Sequence, residues 1–459
     1  MSLRSCDVAV VGAGAAGLRA AIAAARAGAS TTVVDGYRRP GGQYYRQRGT
    51  VDRAETMTQR EGRMLIDRAL RAGVTIAAGT TVWGAGGHQL ELAAQKRLTT
   101  LRYQALVVAT GATEVVAPFP GWTLPGVFTT GALQTLLTEH GIVPGRRVVL
   151  AGAGPLQLVV AAALVNAGIE IAGVFEAARP SRFAVRHPAT VVGGLRRHGD
   201  RLVEGLNSAA LLMRHRVPVR RGWGITEAIG TSEVNGARIA RLDHTWEPIP
   251  GTDLVLKCDT IAVHHGLIPS NDLLHLVGAG FEYRPALGGW VPIRDESMAT
   301  TVRGVYAAGD CAGIGGAAMS GVEGEIAGIA AAAYVRGSSF TPGRELTAGL
   351  AAERRFRDMY GAIFRARPGL WTMATERTIV CRCEDVPRSA VSQAIDRGAT
   401  TTATVKSLTR CGMGPCQGRV CWPLIAAVVE STTGMVQAPF TRRLPLIPVP
   451  IGRLCRVDE

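Results

Sequence analysis

The stretch Val8-Ala-Val-Val-Gly-Ala-Gly-Ala-Ala-Gly-Leu18 decides the fold of the N-terminal part of the chain. Its first apolar residues predict a buried strand, which runs directly into the spacing Gly12-x-Gly14-x-x-Gly17. Gly12 permits a tight turn, Gly14 lets a pyrophosphate approach the backbone, and Gly17 allows a helix to pack closely on the strand. The stretch therefore predicts a strand, a phosphate-binding loop and a helix in succession.

The residues that follow complete this unit. A helix rich in Ala, Leu, Ile and Arg runs to about Ala27, Gly28 ends it, and Thr31–Val34 predicts the next strand. Asp35 comes next, eighteen residues beyond Gly17, where it can accept hydrogen bonds from ribose hydroxyls. The helix N-terminus offers N–H groups and a positive dipole end to phosphates. A glycine motif alone is a weak signal, but here the strand, helix and acid accompany it and together predict a dinucleotide-binding fold.

A second stretch, Thr301-Val-Arg-Gly-Val-Tyr-Ala-Ala-Gly-Asp310, lies far along the chain. It predicts a short strand that delivers Gly309 and Asp310 to the edge of a cofactor site, before a Gly/Ala-rich helix from about Gly315 to Val335. The competing interpretation of Asp310 is a helix N-cap.

Together these stretches resemble the flavoproteins with two dinucleotide folds, the glutathione-reductase-like group. In that group the acid at the position of Asp310 holds the ribityl chain of FAD. Gly41-Gly42-Gln43 is similar to their pyrophosphate contact, and Val107-Val-Ala-Thr-Gly-Ala112 to their crossover out of the FAD domain. The resemblance implies an FAD site at Gly12, Gly14, Gly17, Asp35, Gly42, Gln43, Thr110, Gly111, Gly309 and Asp310.

A second, imperfect fold begins at Arg147-Val-Val-Leu-Ala-Gly-Ala-Gly-Pro-Leu-Gln157, and its next strand, Ile169–Phe175, ends on Glu176. The layout resembles the NAD(P)H domain that these flavoproteins insert in the FAD domain, with Gly152 and Gly154 as nucleotide contacts. Gln157 replaces the third glycine, where its side chain would hinder helix packing or crowd a pyrophosphate. No arginine pair follows Glu176 to hold a 2′-phosphate. NAD(P) use is therefore doubtful, and the loop holds another nucleotide or none.

Composition limits the class of protein. The chain has 459 residues, 47% of them hydrophobic, and a formal net charge of +15, which suits a globular α/β protein of two or three domains. Only Lys96, Lys257 and Lys406 are lysines, and the arginines are scattered, which argues against nucleic-acid binding and favours an acidic protein partner. The first strand leaves no room for a signal peptide, and polar residues interrupt the apolar run Leu150–Phe175. We expect a cytoplasmic protein without an integral membrane segment.

The nine cysteines fall into two groups, three isolated residues and six near the C-terminus. None lies between Cys6 and Cys258, and Cys258 and Cys311 are isolated, so the chain lacks the paired cysteines that disulfide reductases place beside the flavin. Thiol–disulfide chemistry at a flavin is therefore excluded. The remaining cysteines, Cys455 included, lie in the last eighty residues, which indicates a metal site in a reducing compartment.

This C-terminal cluster comprises Val380-Cys-Arg-Cys-Glu-Asp385 and Thr409-Arg-Cys-Gly-Met-Gly-Pro-Cys-Gln-Gly-Arg-Val-Cys421. Four thiolates on two glycine-rich loops can surround a compact soft-metal centre. The one-residue gap in Cys381-x-Cys383 suits zinc less well, although zinc stays the competing interpretation. The pattern resembles the bacterioferritin-associated-ferredoxin-like [2Fe–2S] domain. The expected ligands are Cys381, Cys383, Cys411 and Cys416. Cys421 is interpreted as a core residue, with the alternative that it substitutes as a ligand.

Over nearly its whole length the chain is similar to the A (alpha) subunits of heteromeric opine, octopine and nopaline dehydrogenases. Relatives in the same group are the alpha subunits of hydroxyproline and proline dehydrogenases, together with the B subunit of hydrogen cyanide synthase. The resemblance implies an FAD- and [2Fe–2S]-containing electron-transfer subunit, with FMN at a subunit interface as a further cofactor to test. It implies a glycine/D-amino-acid-oxidase-like flavoprotein partner that oxidises the amine. In some cases it also implies a small ferredoxin-like third subunit that helps carry the electrons.

Other functions remain open at this stage. One alternative is an NAD(P)H-dependent reductase that passes electrons through FAD to its own cluster. Another is a hydrogen cyanide synthase subunit, or a non-catalytic nucleotide-binding scaffold. Nothing in the sequence forms an amine-oxidising site. His264 and His265, at the end of the strand Asp259–Val263, could face the flavin or be structural, and Glu323 and Glu325 are expected to face solvent.

The expected fold class is α/β: two Rossmann-like folds, the second inserted in the first, and a small C-terminal [2Fe–2S] domain. The boundaries follow from the motifs. Residues 1–115 and 255–340 form the FAD domain, 116–254 the inserted nucleotide domain, and 341–374 linker helices. Residues 375–437 form the [2Fe–2S] domain, and 438–459 an extended proline-rich tail that lies on the body or a partner.

Overall fold

The structure of the chain, a computed structural model, describes residues 5–48, 56–94, 97–196, 198–440 and 442–454. Cys455 lies outside these residues. The described residues form two compact units, and each unit combines distant parts of the sequence. The first draws on Met1–Thr113, Leu267–Arg357 and Thr441–Glu459, and the second on Glu114–Gly266 and Asp358–Phe440.

The elements are numbered in chain order. The strands β1 to β21 are Ser5–Val11, Thr31–Asp35, Thr75–Ala78, Thr80–Gly86, Gln89–Ala94, Arg97–Val108, Ala112–Glu114, Val127–Thr129, Arg147–Gly152, Glu170–Glu176, Val219–Arg221, Trp223–Gly230, Val234–Arg241, Leu254–Lys257, Thr260–His264, Leu267–Pro269, Phe281–Arg284, Gly289–Pro292, Val305–Ala307, Ile379–Cys381 and Val386–Pro387. The helices α1 to α14 are Ala15–Arg26, Met57–Arg71, Thr130–Glu139, Leu156–Asn166, Pro180–Arg186, Pro188–Leu195, Gly199–Arg214, Asp272–Leu276, Gly316–Val335, Arg344–Phe364, Arg388–Asp396, Thr402–Thr409, Trp422–Thr433 and Ile451–Leu454. Short 3₁₀ turns occupy Pro285–Leu287, Asp310–Ala312 and Pro368–Thr372.

The first unit is built on a seven-stranded sheet. Its order is β3-β2-β1-β6-β5-β4, and β19 also pairs with β6. Strand β1 lies parallel to β2 and β6, with Val8 opposite Thr31 and Ala105. The fold predicted from the glycine motif is confirmed, because β1, α1 and β2 follow one another as expected and β2 ends on Asp35.

Helices α1 and α9 pack against each other at backbone distance. A Cβ atom at Gly324 would lie 2.1 Å from the carbonyl oxygen of Ala16, and one at Gly328 would lie 2.1 Å from that of Ala20. Any larger residue at either glycine would therefore separate the helices. Because α1 begins at the first glycine loop and α9 begins after Asp310, this contact brings the two predicted cofactor stretches together.

The second unit contains a five-stranded parallel sheet of order β11-β10-β9-β15-β8 and a three-stranded antiparallel sheet β12-β13-β14. Strands β9 and β10 with helix α4 form the second dinucleotide fold. Strand β15, Thr260–His264, pairs with β9 and so lies in this unit. The sequence had placed it in the FAD domain, with a boundary at 254/255, whereas the unit changes after Gly266. A short, wholly buried strand carries no mark of the sheet it joins, which explains the difference.

The C-terminal cysteine domain belongs to the second unit. It consists of β20, β21 and helices α11 to α13, and the indole Nε1 of Trp122 donates to the carbonyl oxygen of Ile379 at 2.6 Å. Phe440, assigned from sequence to the tail, is buried beneath Gly412 and Gly418 of this domain.

The rest of the described tail packs on the first unit. The amide of Leu446 donates to the carbonyl oxygen of Trp83 at 2.8 Å, and the Leu446 side chain is buried. Within the described ranges, no helix combines the length and apolar character that crossing a membrane requires.

Candidate functional site

The first glycine loop is held by the acid at the end of β2. Asp35 is buried, and its two carboxylate oxygens accept from the amides of Ala13 and Tyr37, each at 2.8 Å. Burial raises the pKa of Asp35, and these two backbone hydrogen bonds oppose the rise. Asp35 thus shapes the loop as well as lying at its edge, and a carboxylate has lone pairs left for a ribose hydroxyl.

The surface above this loop is open at the second glycine. Among the described residues, a Cβ atom at Gly14 would have only the Cα of Gly42 within 4 Å, at 3.9 Å. Gly14 is also the N-cap of α1, and neither a capping side chain nor an acidic residue occupies that N-terminus. The backbone N–H groups there are the natural partners of a phosphate. This part of the loop therefore fits a pyrophosphate lying over the N-terminus of α1, beside the contact between Gly14 and Gly42.

Gln43, Thr110 and Gly111 lie at the margins of this loop. Gln43 is exposed and is hydrogen-bonded to Tyr37 and to Arg46. The Thr110 hydroxyl donates to the carbonyl oxygen of Ser270, and the carbonyl oxygen of Gly111 accepts from the Ser270 amide at 2.9 Å. Thr110 and Gly111 therefore bind the backbone of Ser270 and fix the segment after β6 to the segment after β16.

Asp310 caps the start of α9. One carboxylate oxygen, Oδ1, accepts from the amides of Gly315 and Gly316, both at 2.9 Å. Burial raises the pKa of Asp310, and the two amide hydrogen bonds partly oppose the rise. Gly309 has φ +79°, and a Cβ atom there would lie 2.9 Å from the Cβ of Ala16 on α1. Asp310 is thus fixed close to the first glycine loop. Its bonds to the amides of Gly315 and Gly316 cap the N-terminus of a helix, which is the alternative to cofactor binding given above.

Glu323 does not face solvent, contrary to the sequence expectation. It is buried on α9, it pairs with Arg294, and its Oε2 accepts from the amide of Gly309 at 2.9 Å. Glu325, in contrast, is exposed, as expected. The helix period alone did not show which of the two acids turns inward, because α9 is apolar nearly all round.

The loop of the inserted fold differs from the first at corresponding positions. A Cβ atom at Gly154, the counterpart of Gly14, would lie 2.8 Å from the phenol oxygen of Tyr360. Gln157, the counterpart of Gly17, is fully buried in α4, and neither its amide oxygen nor its amide nitrogen has a hydrogen-bond partner among the described residues. The place where a pyrophosphate would lie is therefore covered by the protein. The residues present do not fit a bound dinucleotide.

Glu176 repeats the structural role of Asp35 in this second fold. Its oxygens accept from the amides of Gly154 at 3.0 Å and Ala178 at 2.9 Å. Burial raises the pKa of Glu176 to about 7, against the lowering effect of these bonds. Burial also raises the pKa of the Tyr360 phenol, and the nearby Glu176 charge adds to that effect.

The two consecutive histidines lie at this second loop. His264 Nδ1 is 2.9 Å from Oε1 of Glu114, whose oxygens also accept from the Gly131 amide at 3.0 and 3.1 Å. His264 pairs in register with Gly152. Burial lowers the pKa of His265 to about 3, so this ring is neutral at physiological pH. The sequence left open whether these histidines face the flavin or are structural, and the structure places both in the second unit.

A cavity of about 190 Å³ lies in the second unit, with the C-terminal cysteines as one wall. The sulfur-bearing side chains that line it are Cys381, Cys383, Cys416 and Cys421. The opposite side includes Phe119, Trp122 and Phe128 of the inserted fold. A mostly apolar cavity with four thiols along its wall suits a soft, compact metal centre, and every described cysteine is a free thiol. The residues present therefore fit a [2Fe–2S] cluster.

The two cysteine-bearing segments approach each other closely because glycine has no side chain at the point of contact. A Cβ atom at Gly414 would lie 2.3 Å from the Cβ of Cys383. The side chain of Cys381 is hydrogen-bonded to Cys411 and Cys421, and that of Cys383 to Cys416. Three of the four expected ligands, Cys381, Cys383 and Cys416, line the cavity, and Cys411 does not. Cys421, which was expected in the core, also lines the cavity. Within the described ranges, no three His, Cys, Asp or Glu side chains converge on the position of a single metal ion.

The isolated cysteines are buried thiols. Burial raises the pKa of Cys6 and of Cys311 to about 11, and that of Cys258 to about 12. Cys311 also donates to the carbonyl oxygens of Val108 at 3.3 Å and Ala308 at 3.4 Å. Thiols in this state are poor nucleophiles.

Several residues that shape these sites were not found from sequence. Tyr360 had no signal, because it lies on a linker helix about 200 residues after the loop that it covers. Trp122 had none either. Cys421 had one: it lies five residues beyond Cys416, the same separation as between Cys411 and Cys416, and directly before a helix.

Two known families match successive parts of the chain. Residues 6–334 match the family described as pyridine nucleotide-disulphide oxidoreductase. Residues 379–431 match the BFD-like [2Fe–2S] binding domain. The first match covers more than half of the chain, and the two matches identify FAD and a [2Fe–2S] cluster as the cofactors of an oxidoreductase.

Individual relatives extend over almost the whole chain. The chain is 33% identical to the hydrogen cyanide synthase subunit HcnB of Pseudomonas aeruginosa, over 96% of this chain and 97% of that protein. It is 32% identical to the A subunit of the opine oxidase of Agrobacterium tumefaciens, over 99% of this chain and 92% of that protein. Among solved structures, the L-proline dehydrogenase of P. horikoshii has a TM-score of 0.70 at 20% identity, covering 98% of this chain and 80% of that one. The last likeness concerns the fold alone.

Proposed function

Since the chain belongs to the pyridine nucleotide-disulphide oxidoreductase family and carries a BFD-like [2Fe–2S] domain, we propose that it is the electron-transfer subunit of a heteromeric amine or opine dehydrogenase. The observation that carries the proposal is the cysteine-lined cavity, which occurs in the same chain as an open first glycine loop. Bound FAD exchanges one or two electrons and a bound [2Fe–2S] cluster exchanges one, which is the chemistry of an electron-carrying subunit.

The residues of this chain hold cofactors and exclude other reactions. Gly14, Gly42 and the N-terminus of α1 would receive the FAD pyrophosphate, with Asp35 beside the ribose and Asp310 at the far side of the loop. The remaining residues of the proposed FAD site are those expected from sequence: Gly12, Gly17, Gln43, Thr110, Gly111 and Gly309. The thiols Cys381, Cys383 and Cys416 would bind iron.

The NAD(P)H reductase alternative is disfavoured by the second loop. Tyr360 lies over Gly154, and Gln157 fills the position of the third glycine. Electrons must then arrive from another protein. We propose a glycine/D-amino-acid-oxidase-like flavoprotein partner in the cytoplasm, which oxidises a CH–NH donor, and in some complexes a small ferredoxin-like third subunit. The relatives from hydrogen cyanide synthase and from opine oxidase are almost equally similar to this chain, so the substrate must come from experiment.

The test compares the chain alone with the chain co-expressed with a glycine/D-amino-acid-oxidase-like flavoprotein from the same organism. The substrates are opines, proline, hydroxyproline and glycine, and the readout is reduction of an artificial dye. We expect no amine oxidation by the chain alone and dye reduction by the complex. In the complex, Cys383→Ser should abolish transfer to the dye while substrate still bleaches the partner's flavin.

Cys258→Ser is the matched control, because Cys258 is a buried thiol away from the cavity, and it should leave dye reduction unchanged. Rapid amine oxidation by the isolated chain, or vigorous NADH:dye activity, would overturn the assignment.

A further inference from the structure

The five cysteines of the C-terminal domain exceed the four that a [2Fe–2S] cluster needs. Cys381 and Cys383 lie on one loop, and Cys411, Cys416 and Cys421 follow on another. Spacing alone does not choose between Cys411 and Cys421, because each lies five residues from Cys416. The structure separates the five by where they lie relative to the cavity.

The cavity wall contains four of the five thiols. Cys381, Cys383, Cys416 and Cys421 line it, and Cys411 does not. Its volume of about 190 Å³ corresponds to roughly six water molecules at about 30 Å³ each. That is ample space for two iron and two sulfide atoms between the cysteine loops and the aromatic wall of Phe119 and Trp122.

Cys421 also lies at the start of a helix, with its thiol on the cavity wall. It is the N-cap residue of α13, a helix of 12 residues, and no side chain caps that N-terminus. The side chain is 1% exposed, so water does not compete for it.

Cys411 has a different environment. It directly follows α12 and Arg410, a residue in the left-handed conformation at φ +64°. Its amide donates to the Thr409 hydroxyl at 3.2 Å, and its side chain is fully buried. The neighbouring Gly412 packs on the ring of Phe440. Cys411 therefore lies behind the cavity wall, in hydrogen-bond contact with Cys381.

The geometry points to Cys421, and not Cys411, as the fourth cluster ligand. Cys381, Cys383, Cys416 and Cys421 would then hold the cluster, because these four thiols line the cavity. Cys411 is a positioning residue, whose thiol donates a hydrogen bond to the sulfur of Cys381. Hydrogen bonds to a ligand sulfur orient it and tune the potential of the cluster.

The experiment measures iron and acid-labile sulfide in anaerobically purified full-length chain, with the FAD content and thermal unfolding as checks of folding. Wild-type protein should contain two iron and two sulfide atoms per chain. Cys421→Ala should retain less than about a tenth of the iron, since an alanine supplies no ligand. Cys421→Ser should lose most of the iron, and any remaining cluster should have shifted visible bands, because an oxygen ligand replaces sulfur.

Cys411→Ser is the matched variant. Its hydroxyl can still donate to Cys381, so we expect full iron content, unchanged visible bands and a shifted reduction potential. Retention of the two-iron centre in Cys421→Ala would overturn the inference. Loss of iron or a shift of the visible bands in Cys411→Ser would also overturn it. This inference rests on the cluster of the proposed function; zinc in place of iron in the wild-type protein would refute the cluster itself, whereas exchanged roles of Cys411 and Cys421 would refute only the inference.

Discussion

The carboxylate of Glu323 and the guanidinium of Arg294 form a buried, two-armed ion pair. Nη2 of Arg294 lies 2.6 Å from Oε1, and Nη1 lies 2.9 Å from Oε2. Oε2 also accepts from the amide of Gly309, and Nη1 also donates to the carbonyl oxygen of Ala307. The pair thus joins α9 to the end of β19, directly before Asp310, and fixes the loop on which the proposed FAD site depends.

Glu323→Gln should destabilise the chain by about 3–5 kcal/mol, because it leaves the buried Arg294 charge without its partner. Chemical denaturation monitored by circular dichroism measures the change. The control is Glu325→Gln on the same helix, where an exposed contact with Arg19 at 3.9 Å is removed. That variant should change the free energy of unfolding by less than about 0.5 kcal/mol. Equal losses in the two variants would contradict the role assigned to the buried pair.

Gly42→Ala should weaken FAD binding about tenfold or more, a loss of about 1.4 kcal/mol. The new Cβ atom would lie 2.8 Å from the Cα of Gly14, and so would displace the loop that receives the pyrophosphate. Gly73→Ala is the control, because Gly73 also has positive φ, at +83°, but no atom of the described residues lies within 4 Å of its Cβ position. The ratio of FAD to protein after dialysis is the measurement. Full FAD content in Gly42→Ala would show that Gly42 does not form part of the FAD site.

NADH should not bind the wild-type chain, because Tyr360 covers Gly154 in the inserted fold. Titration calorimetry should show no saturable binding, and NADH should not bleach the flavin under anaerobic conditions. Tyr360→Ala should make dinucleotide binding detectable. Phe364→Ala removes a neighbouring ring, at a centroid distance of 4.9 Å from that of Tyr360, and should leave binding absent. NADH binding by the wild-type chain would show that Tyr360 does not close the loop.

The stability of the chain should contain a pH-dependent contribution from Glu176. Burial raises its pKa from the usual value near 4.5 to about 7, so the folded state holds the proton more tightly than the unfolded state does. The resulting stabilisation is fully present below about pH 4.5 and is lost as the pH rises through about 7. The full change is on the order of 3 kcal/mol.

Glu176→Gln should remove this dependence, and the difference in Tm between wild type and variant across pH 4.5–8 isolates it from other titrating groups. A difference in Tm that does not vary with pH would show that Glu176 ionises as it does in solution.

The sequence by itself determined the two glycine loops, their strands and helices, and the acids Asp35 and Glu176. It could do so because a phosphate-binding turn requires particular residues at fixed local spacing. It also determined that a soft-metal domain follows, because five cysteines within 41 residues are typical of metal binding in a reducing compartment, where disulfides do not persist.

Only the tertiary structure decided which thiols face the cavity, that Glu323 turns inward, and that Tyr360 closes the second loop. It also moved the strand Thr260–His264 into the inserted unit. Each of these depends on contacts between segments that are distant in sequence, or on the rotation of a helix that is apolar on every side. Residue type and spacing carry no information about such contacts, because packing alone selects among side-chain directions that are locally equivalent.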